Sequence, residues 1–208
     1  MSTRELKHAG LNLQQTDPKT HEEAESRVFG FWVFLMSDAV LFALLFATYG
    51  VMLSGTAGGP GTQNVYEMKS AFIETLLLLS SSFTFGMASL AMKYEGKASR
   101  ISVWLAVTLI LGLGFLGMEM HDFVKMIGEG ATPERSGFLS SFFALVSTHG
   151  LHVLGGSIWI VVMLVQLSVF GVTPAVKTRI LRLGLFWHFL DIIWVGIFTI
   201  VYLQGLTP

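Results

Sequence analysis

Cysteine is absent from the 208-residue chain, which rules out disulfides, thiolate metal sites and thiol-based catalysis. Charge is scarce too. Asp, Glu, Lys and Arg make up 13% of the residues, about half the share that soluble domains carry. The charges that remain nearly cancel, at a formal net of -1. A general nucleic-acid binder needs a basic excess to neutralise phosphates, so no nucleic-acid partner is expected. The first 27 residues contain no apolar run. A cleavable signal peptide is therefore not expected, and the first membrane span would act as its own insertion signal. The glycine-rich GTAGGPG is not followed by Lys-Ser or Lys-Thr, so it lacks the pattern of a phosphate-binding loop.

Apolar sequence is what the chain has in quantity, with 52% hydrophobic residues. It falls into five long segments, roughly 29–53, 70–92, 101–123, 138–170 and 183–203. About 20 apolar residues suffice for a helix to cross a bilayer. The fourth segment is longer than that, so it must tilt or protrude. Ser136 is placed to cap the start of the fourth helix. Residues 1–27 read as a polar, mobile tail, and 28–208 as the membrane domain. The expected fold is an all-α membrane protein, a bundle of five transmembrane helices.

The connections set its orientation. The tail holds Arg4, Lys7, Lys19 and Arg27; the second connection holds Lys93, Lys97 and Arg100; the fourth holds Lys177, Arg179 and Arg182. The opposite side holds only Lys69, Lys125 and Arg135. The excess of basic residues on one side predicts a cytoplasmic N-terminus and a C-terminus on the outer side. Trp32, Trp104 and Trp187 fall near the cytoplasmic boundary, where interfacial aromatics are expected.

Nine ionisable residues fall inside or at the ends of the spans: Asp38, Glu74, Glu119, His121, Asp122, His149, His152, His188 and Asp191. Such groups are costly in lipid and should face the bundle with partners. His149 and His152 are three residues apart, as are His188 and Asp191, so each pair shares a helix face. Helical rise puts Asp38 about 15 Å, Asp191 about 12 Å and His188 about 8 Å from the inner boundary. His149 and His152 come out at about 14 Å and about 9 Å. These five form a predicted inner-half polar network joining the first, fourth and fifth helices. Glu74, Glu119, His121 and Asp122 are expected near the outer surface. Small residues every four positions on the fourth helix (Ser140, Ala144, Thr148, His152, Gly156) predict a face that touches another helix.

The leading reading of the inner network is structural, with His–carboxylate bonds fixing helix rotation. Proton handling and lipid-headgroup contact are the alternatives. Paired histidines beside a carboxylate also resemble a metal site, and His152 with His188 a bis-His haem site; these rank lower.

Five segments, in this order, carry a family likeness: FGFWVFLMSDAVLFALLFATY, ETLLLLSSSFTFGMA, GFLGMEMHDF, RSGFLSSFFALVSTHGLHVLGGSIW and LFWHFLDIIWVGIFTIVYL. The chain resembles subunit III of the haem–copper respiratory oxidases over roughly residues 28–205, most closely that of the cytochrome bo-type ubiquinol oxidases. The resemblance implies a bacterial inner-membrane complex that oxidises ubiquinol, reduces oxygen to water and pumps protons, with this C-terminus in the periplasm. It implies no catalytic residue, cofactor or metal in this chain. Haems and copper would belong to subunit I, the main partner, with subunits II and IV also present. The third subunit would stabilise subunit I, support proton uptake and bind phospholipid. Asp38 takes the place of the family's intramembrane carboxylate, and Glu119 that of another acidic position. His149, His152, His188 and Asp191 fall on its HGLH and WHF-x-D motifs. The mitochondrial type has seven helices, and the polar tail here replaces its first two, which favours the five-helix quinol-oxidase branch.

A subunit III of a bacterial cytochrome c oxidase is the runner-up, and an autonomous proton or ion transporter a further alternative. No internal repeat supports the transporter. If the orientation is right, alkaline phosphatase fused after Leu206 will be active in whole cells, whereas a fluorescent protein fused there will be dark. The opposite pattern refutes the assignment.

Overall fold

The computed structural model describes residues 18–58, 68–94 and 96–203. Five helices make up nearly all of it: α1 (Pro18–Met52), α2 (Met68–Tyr94), α3 (Ala98–Gly128), α4 (Gly137–Phe170) and α5 (Pro174–Ile197). A wider π turn, Phe198–Leu203, continues α5, and a short 3-10 turn, Pro133–Arg135, precedes α4. No strand occurs among the described residues. All five helices contain a stretch long and apolar enough to cross a bilayer, so the chain is the all-α five-helix bundle that its sequence predicts. Residues 1–17 of the expected tail, with Arg4 and Lys7, lie outside the described residues, and residues 18–27 already belong to α1.

The helices outrun the apolar spans, because a charged side chain leaves lipid without ending backbone hydrogen bonding. α5 starts at Pro174, well before the expected 183. The Thr173 side chain accepts from the Val176 amide at 3.4 Å, and Pro174 occupies the first turn, where its missing N–H costs nothing. Only Gly171, Val172 and Thr173 join α4 to α5. Gly171 has φ of 64°, which lets the chain turn away from the last turn of α4. At the other end of α4, the Ser136 hydroxyl accepts from the Leu139 amide at 3.2 Å, the cap its sequence position predicts.

α2, α3, α4 and α5 form a closed ring, each packed on the next and α5 returning to α2; α1 lies outside it, against α4 and α5. α1 is held along a narrow seam. Leu35, Phe42 and Tyr49 recur every seven residues and are all buried. Phe31 meets the Trp159 ring edge-on at 5.7 Å between centroids, and Tyr49 meets Phe138 at 6.0 Å. This seven-residue repeat is the sequence signature of near-parallel helix packing. The remaining faces of α1, with Phe29, Phe34, Val40 and Leu44, are exposed.

Inside the ring, two tryptophans of α5 set the register. Trp187 donates from Nε1 to Ser81 Oγ at 3.0 Å, and Trp194 to Thr75 Oγ1 at 3.1 Å. Both hydroxyls belong to α2. The Trp187 ring is seated between two glycines: a methyl group at Gly112 of α3 would lie 2.8 Å from its Cη2, and one at Gly156 of α4 3.0 Å from its Cζ3. Trp187 is thus not the interfacial residue that its sequence position suggests. It is 1% exposed, whereas Trp32 is 47% exposed.

The small-residue stripe on α4 is only partly buried. Gly156 lies in the core, but Ser140 and Ala144 are exposed. A step of four residues advances about 40° beyond a full turn, so the stripe winds out of the contact. The tryptophan seat predicts opposite effects from one substitution at two glycines of α3. Gly112→Ala will lower the thermal midpoint of the detergent-solubilised protein by the equivalent of about 1–3 kcal/mol. Gly117→Ala, where nothing lies within 4 Å, will leave it unchanged or raise it, because alanine favours helix.

Candidate functional site

Asp38 and His152 are the two predicted residues that α1 and α4 bring together as an ion pair. Asp38 Oδ2 lies 3.5 Å from His152 Nε2, with both side chains largely covered. The imidazole is oriented by its other nitrogen, since Nδ1 lies 2.7 Å from the Thr148 carbonyl oxygen. A carbonyl only accepts, so Nδ1 carries a proton and Nε2 points at the carboxylate side. The Phe42 ring packs on His152 at 5.2 Å between centroids and on Phe189 at 6.3 Å. It closes the pair off on the side of α5.

His149, three residues away, faces elsewhere. Three residues turn a helix through about 300°, enough to direct neighbouring side chains to different helices. His149 is fully buried; it stacks on Trp194 at 5.3 Å and meets the Phe115 ring edge-on at 5.8 Å. Neither of its ring nitrogens has a hydrogen-bond partner.

His188 and Asp191 gather instead at the α2–α5 contact. His188 Nδ1 lies 2.6 Å from Ser82 Oγ, and the same hydroxyl stands beside the Asp191 carboxyl. Asp191 Oδ1 is buried without a partner. The His188 side chain is exposed on the outside of the bundle. The five inner residues therefore do not form one hydrogen-bonded network. They form an α1–α4 pair, an α2–α5 group and an aromatic pocket around His149 that shares Phe42 with the α1–α4 pair.

The acids expected near the outer surface divide as well. His121 is exposed and Asp122 half-buried. Glu74 and Glu119 are enclosed by the bundle, at 2% and 5% exposed. α3 continues to Gly128, which puts Glu119 about 14 Å inside its helix end. The two carboxylates lie in each other's electrostatic field, and that of Tyr202 overlaps both. Gly150 of α4 makes room for Glu119: a methyl group there would sit 2.7 Å from Oε2 and 2.8 Å from Oε1. Oε1 of Glu74 and of Glu119 have no hydrogen-bond partner. Among the described residues, no three His, Asp or Glu side chains converge as a metal-holding group.

Sequence reasoning did not single out Thr75, Tyr49 or Tyr202. A signal was available. Trp187 and Trp194 are seven residues apart, and Ser81 and Thr75 lie at a matching antiparallel spacing on α2.

Comparison with known proteins agrees with this architecture. The sequence profile of the family Cytochrome c oxidase subunit III matches residues 16–206. The chain is 51% identical over 185 residues to cytochrome bo(3) ubiquinol oxidase subunit 3 of Pseudomonas putida, covering 89% of each chain. It is 44% identical to quinol oxidase subunit 3 of Bacillus subtilis (strain 168), over 89% of this chain and 90% of that one. It is also 40% identical to cytochrome c oxidase subunit 3 of Bacillus sp. (strain PS3), over 88% of each.

The geometry of the α1–α4 pair predicts energetic coupling. Asp38→Asn and His152→Gln will each destabilise the bundle, and the double variant will be less destabilised than their total. The coupling in a double-mutant cycle, read from unfolding in detergent, should be about 0.6–1.7 kcal/mol. Strictly additive losses would show that the contact contributes nothing.

Proposed function

Because the chain belongs to the cytochrome c oxidase subunit III family, we propose that it is the non-redox third subunit of a proton-pumping terminal quinol oxidase. The observation that carries this reading is the near-full-length likeness to the ubiquinol oxidase subunit of Pseudomonas putida, which exceeds the likeness to the cytochrome c oxidase subunit of Bacillus sp. (strain PS3). Ubiquinol oxidation and the reduction of oxygen to water belong to subunit I, which carries the haems and copper. This chain stabilises that subunit, alongside subunits II and IV, in a bacterial inner membrane. Its N-terminus lies in the cytoplasm and its C-terminus in the periplasm.

The membrane-depth ionisable groups fit a supporting role. Asp38 and His152 satisfy each other across α1 and α4, and the imidazole is fixed by a backbone carbonyl. A pair held in this way sets the position of the peripheral helix α1. Phospholipid covers the apolar outer faces of α1, α3 and α4.

A tagged chain purified from its own membranes in mild detergent tests the reading. Haem absorption and a larger haem-bearing subunit should accompany it, and the preparation should consume oxygen with ubiquinol but not with reduced cytochrome c. Oxidation of cytochrome c instead would favour the cytochrome c oxidase branch. A chain that purifies without haem and moves ions in liposomes would refute membership of an oxidase complex.

A further inference from the structure

A half-open cavity of about 410 Å³ lies on the outside of the ring, where α2 ends and α3 begins. That volume falls within the roughly 300–1,000 Å³ typical of ligand sites. Its walls are two helical stripes. Met87, Leu90 and Tyr94 share one face of α2, and Arg100, Val103 and Trp104 share one face of α3. The two helices are joined by a short connection and run antiparallel. Tyr94 and Arg100 therefore lie at the same end of the cavity, while Met87 and Val103 lead away from it. From Tyr94 to Met87 the wall extends about 10 Å along the helix.

The cavity is polarised along that length. Leu90 and Val103 are exposed on its apolar walls. At the other end stand Arg100 and Ser99, with the Lys93 ammonium held over the Tyr94 ring at 5.6 Å from its centroid. Residues 93–100 contain three basic side chains (Lys93, Lys97 and Arg100) against one acid, Glu95. Among the described residues, no acidic side chain lines the cavity. The apolar segments end near 92 and resume near 101, so the membrane boundary crosses the cavity between Leu90 and Tyr94. Tyr94 and Trp104 carry the amphipathic rings that favour this level. The α4–α5 connection is basic as well, but there Arg179 donates to Gln166 at 2.8 Å.

We propose that the α2–α3 cavity binds one anionic phospholipid, with its phosphate against Arg100 and Ser99 and an acyl chain along Leu90 and Val103. Basic pockets between transmembrane helices on the cytoplasmic side suit such headgroups. A transmembrane helix would cover the apolar walls and leave the basic end without counter-charge. Free phosphate would satisfy that end alone, and a zwitterionic lipid brings no net charge to it. This site adds a specific anionic lipid to the phospholipid contact of the oxidase reading, and rests on that reading for the cytoplasmic position of the connection.

Photoactivatable lipids test the site on the intact complex in nanodiscs. Phosphatidylglycerol or phosphatidylcholine, each with a diazirine in its acyl chain, is irradiated with the complex at equal loading, and the label is mapped by peptide. Phosphatidylglycerol should label residues 87–104 about threefold more than phosphatidylcholine. Arg100→Gln should lower that labelling about fivefold, and Arg100→Lys should keep most of it. Val103→Trp, which fills the cavity and leaves every charge in place, should abolish it. Equal labelling by the two lipids would overturn the site, as would labelling that neither Arg100→Gln nor Val103→Trp reduces; both would mean ordinary bilayer contact. Displacement of the label by inorganic phosphate, or a photo-crosslinker at Leu90 that joins a protein subunit, would overturn it too. Haem content and circular dichroism show whether each variant assembles, and the wild-type comparison of the two lipids is decisive without them. A wild-type preparation that lacks haem would instead overturn the oxidase reading, while the labelling ratio is still read on this chain.

Discussion

The seat of Trp187 is the interaction on which the bundle depends. Its indole lies against Gly112 of α3 and Gly156 of α4 while its N–H reaches Ser81 of α2, so one side chain of α5 touches every other helix of the ring. In lipid, no hydrophobic driving force pulls helices together; close packing and interhelical hydrogen bonds must do so. A large flat ring received by two glycines and tied by one donor supplies both. Trp194 repeats the arrangement two turns on, with Thr75 as acceptor and Phe115 edge-on at 4.6 Å between centroids.

Given that register, the positions of the ionisable groups follow. His188, next to Trp187, is carried to Ser82, next to Ser81. Trp194 forms one wall of the pocket that holds His149. α1, which lies outside the ring, meets α4 along a seven-residue repeat into which Asp38 fits between Leu35 and Phe42, facing His152. The polar groups are therefore distributed over three helix contacts, two of which share the Phe42 ring. A single continuous relay through the bundle is not what the side chains form.

This division separates the groups held inside the ring from those at its rim. The groups enclosed by the ring are positioned by its own packing. The groups at the rim, Asp38 with His152 and Ser82 with His188, are where this chain meets its surroundings. Asp38 and His152 face each other at 3.5 Å, and His188 is exposed with its Nδ1 against Ser82. The Asp38–His152 contact suits a stable attachment of α1.

Composition and hydropathy by themselves determined the class of molecule: scarce charge, no cysteine and five long apolar segments leave little besides a helical membrane bundle. Local chemistry was legible in the same way, as at Ser136, whose hydroxyl caps α4, because a cap depends on residues within one turn. The seven-residue spacing of Leu35, Phe42 and Tyr49 was legible in principle. What tertiary structure alone decided was direction. Spacing places His149 and His152 near one another, but which neighbouring helix each one faces depends on crossing geometry that no local pattern encodes. Enclosure by the bundle was not legible for Trp187, Glu74 and Glu119, because hydropathy marks a span without saying which of its faces packs on a neighbour. The buried Trp187 rests on two glycines far away in sequence, and only the folded ring brings them to either side of it.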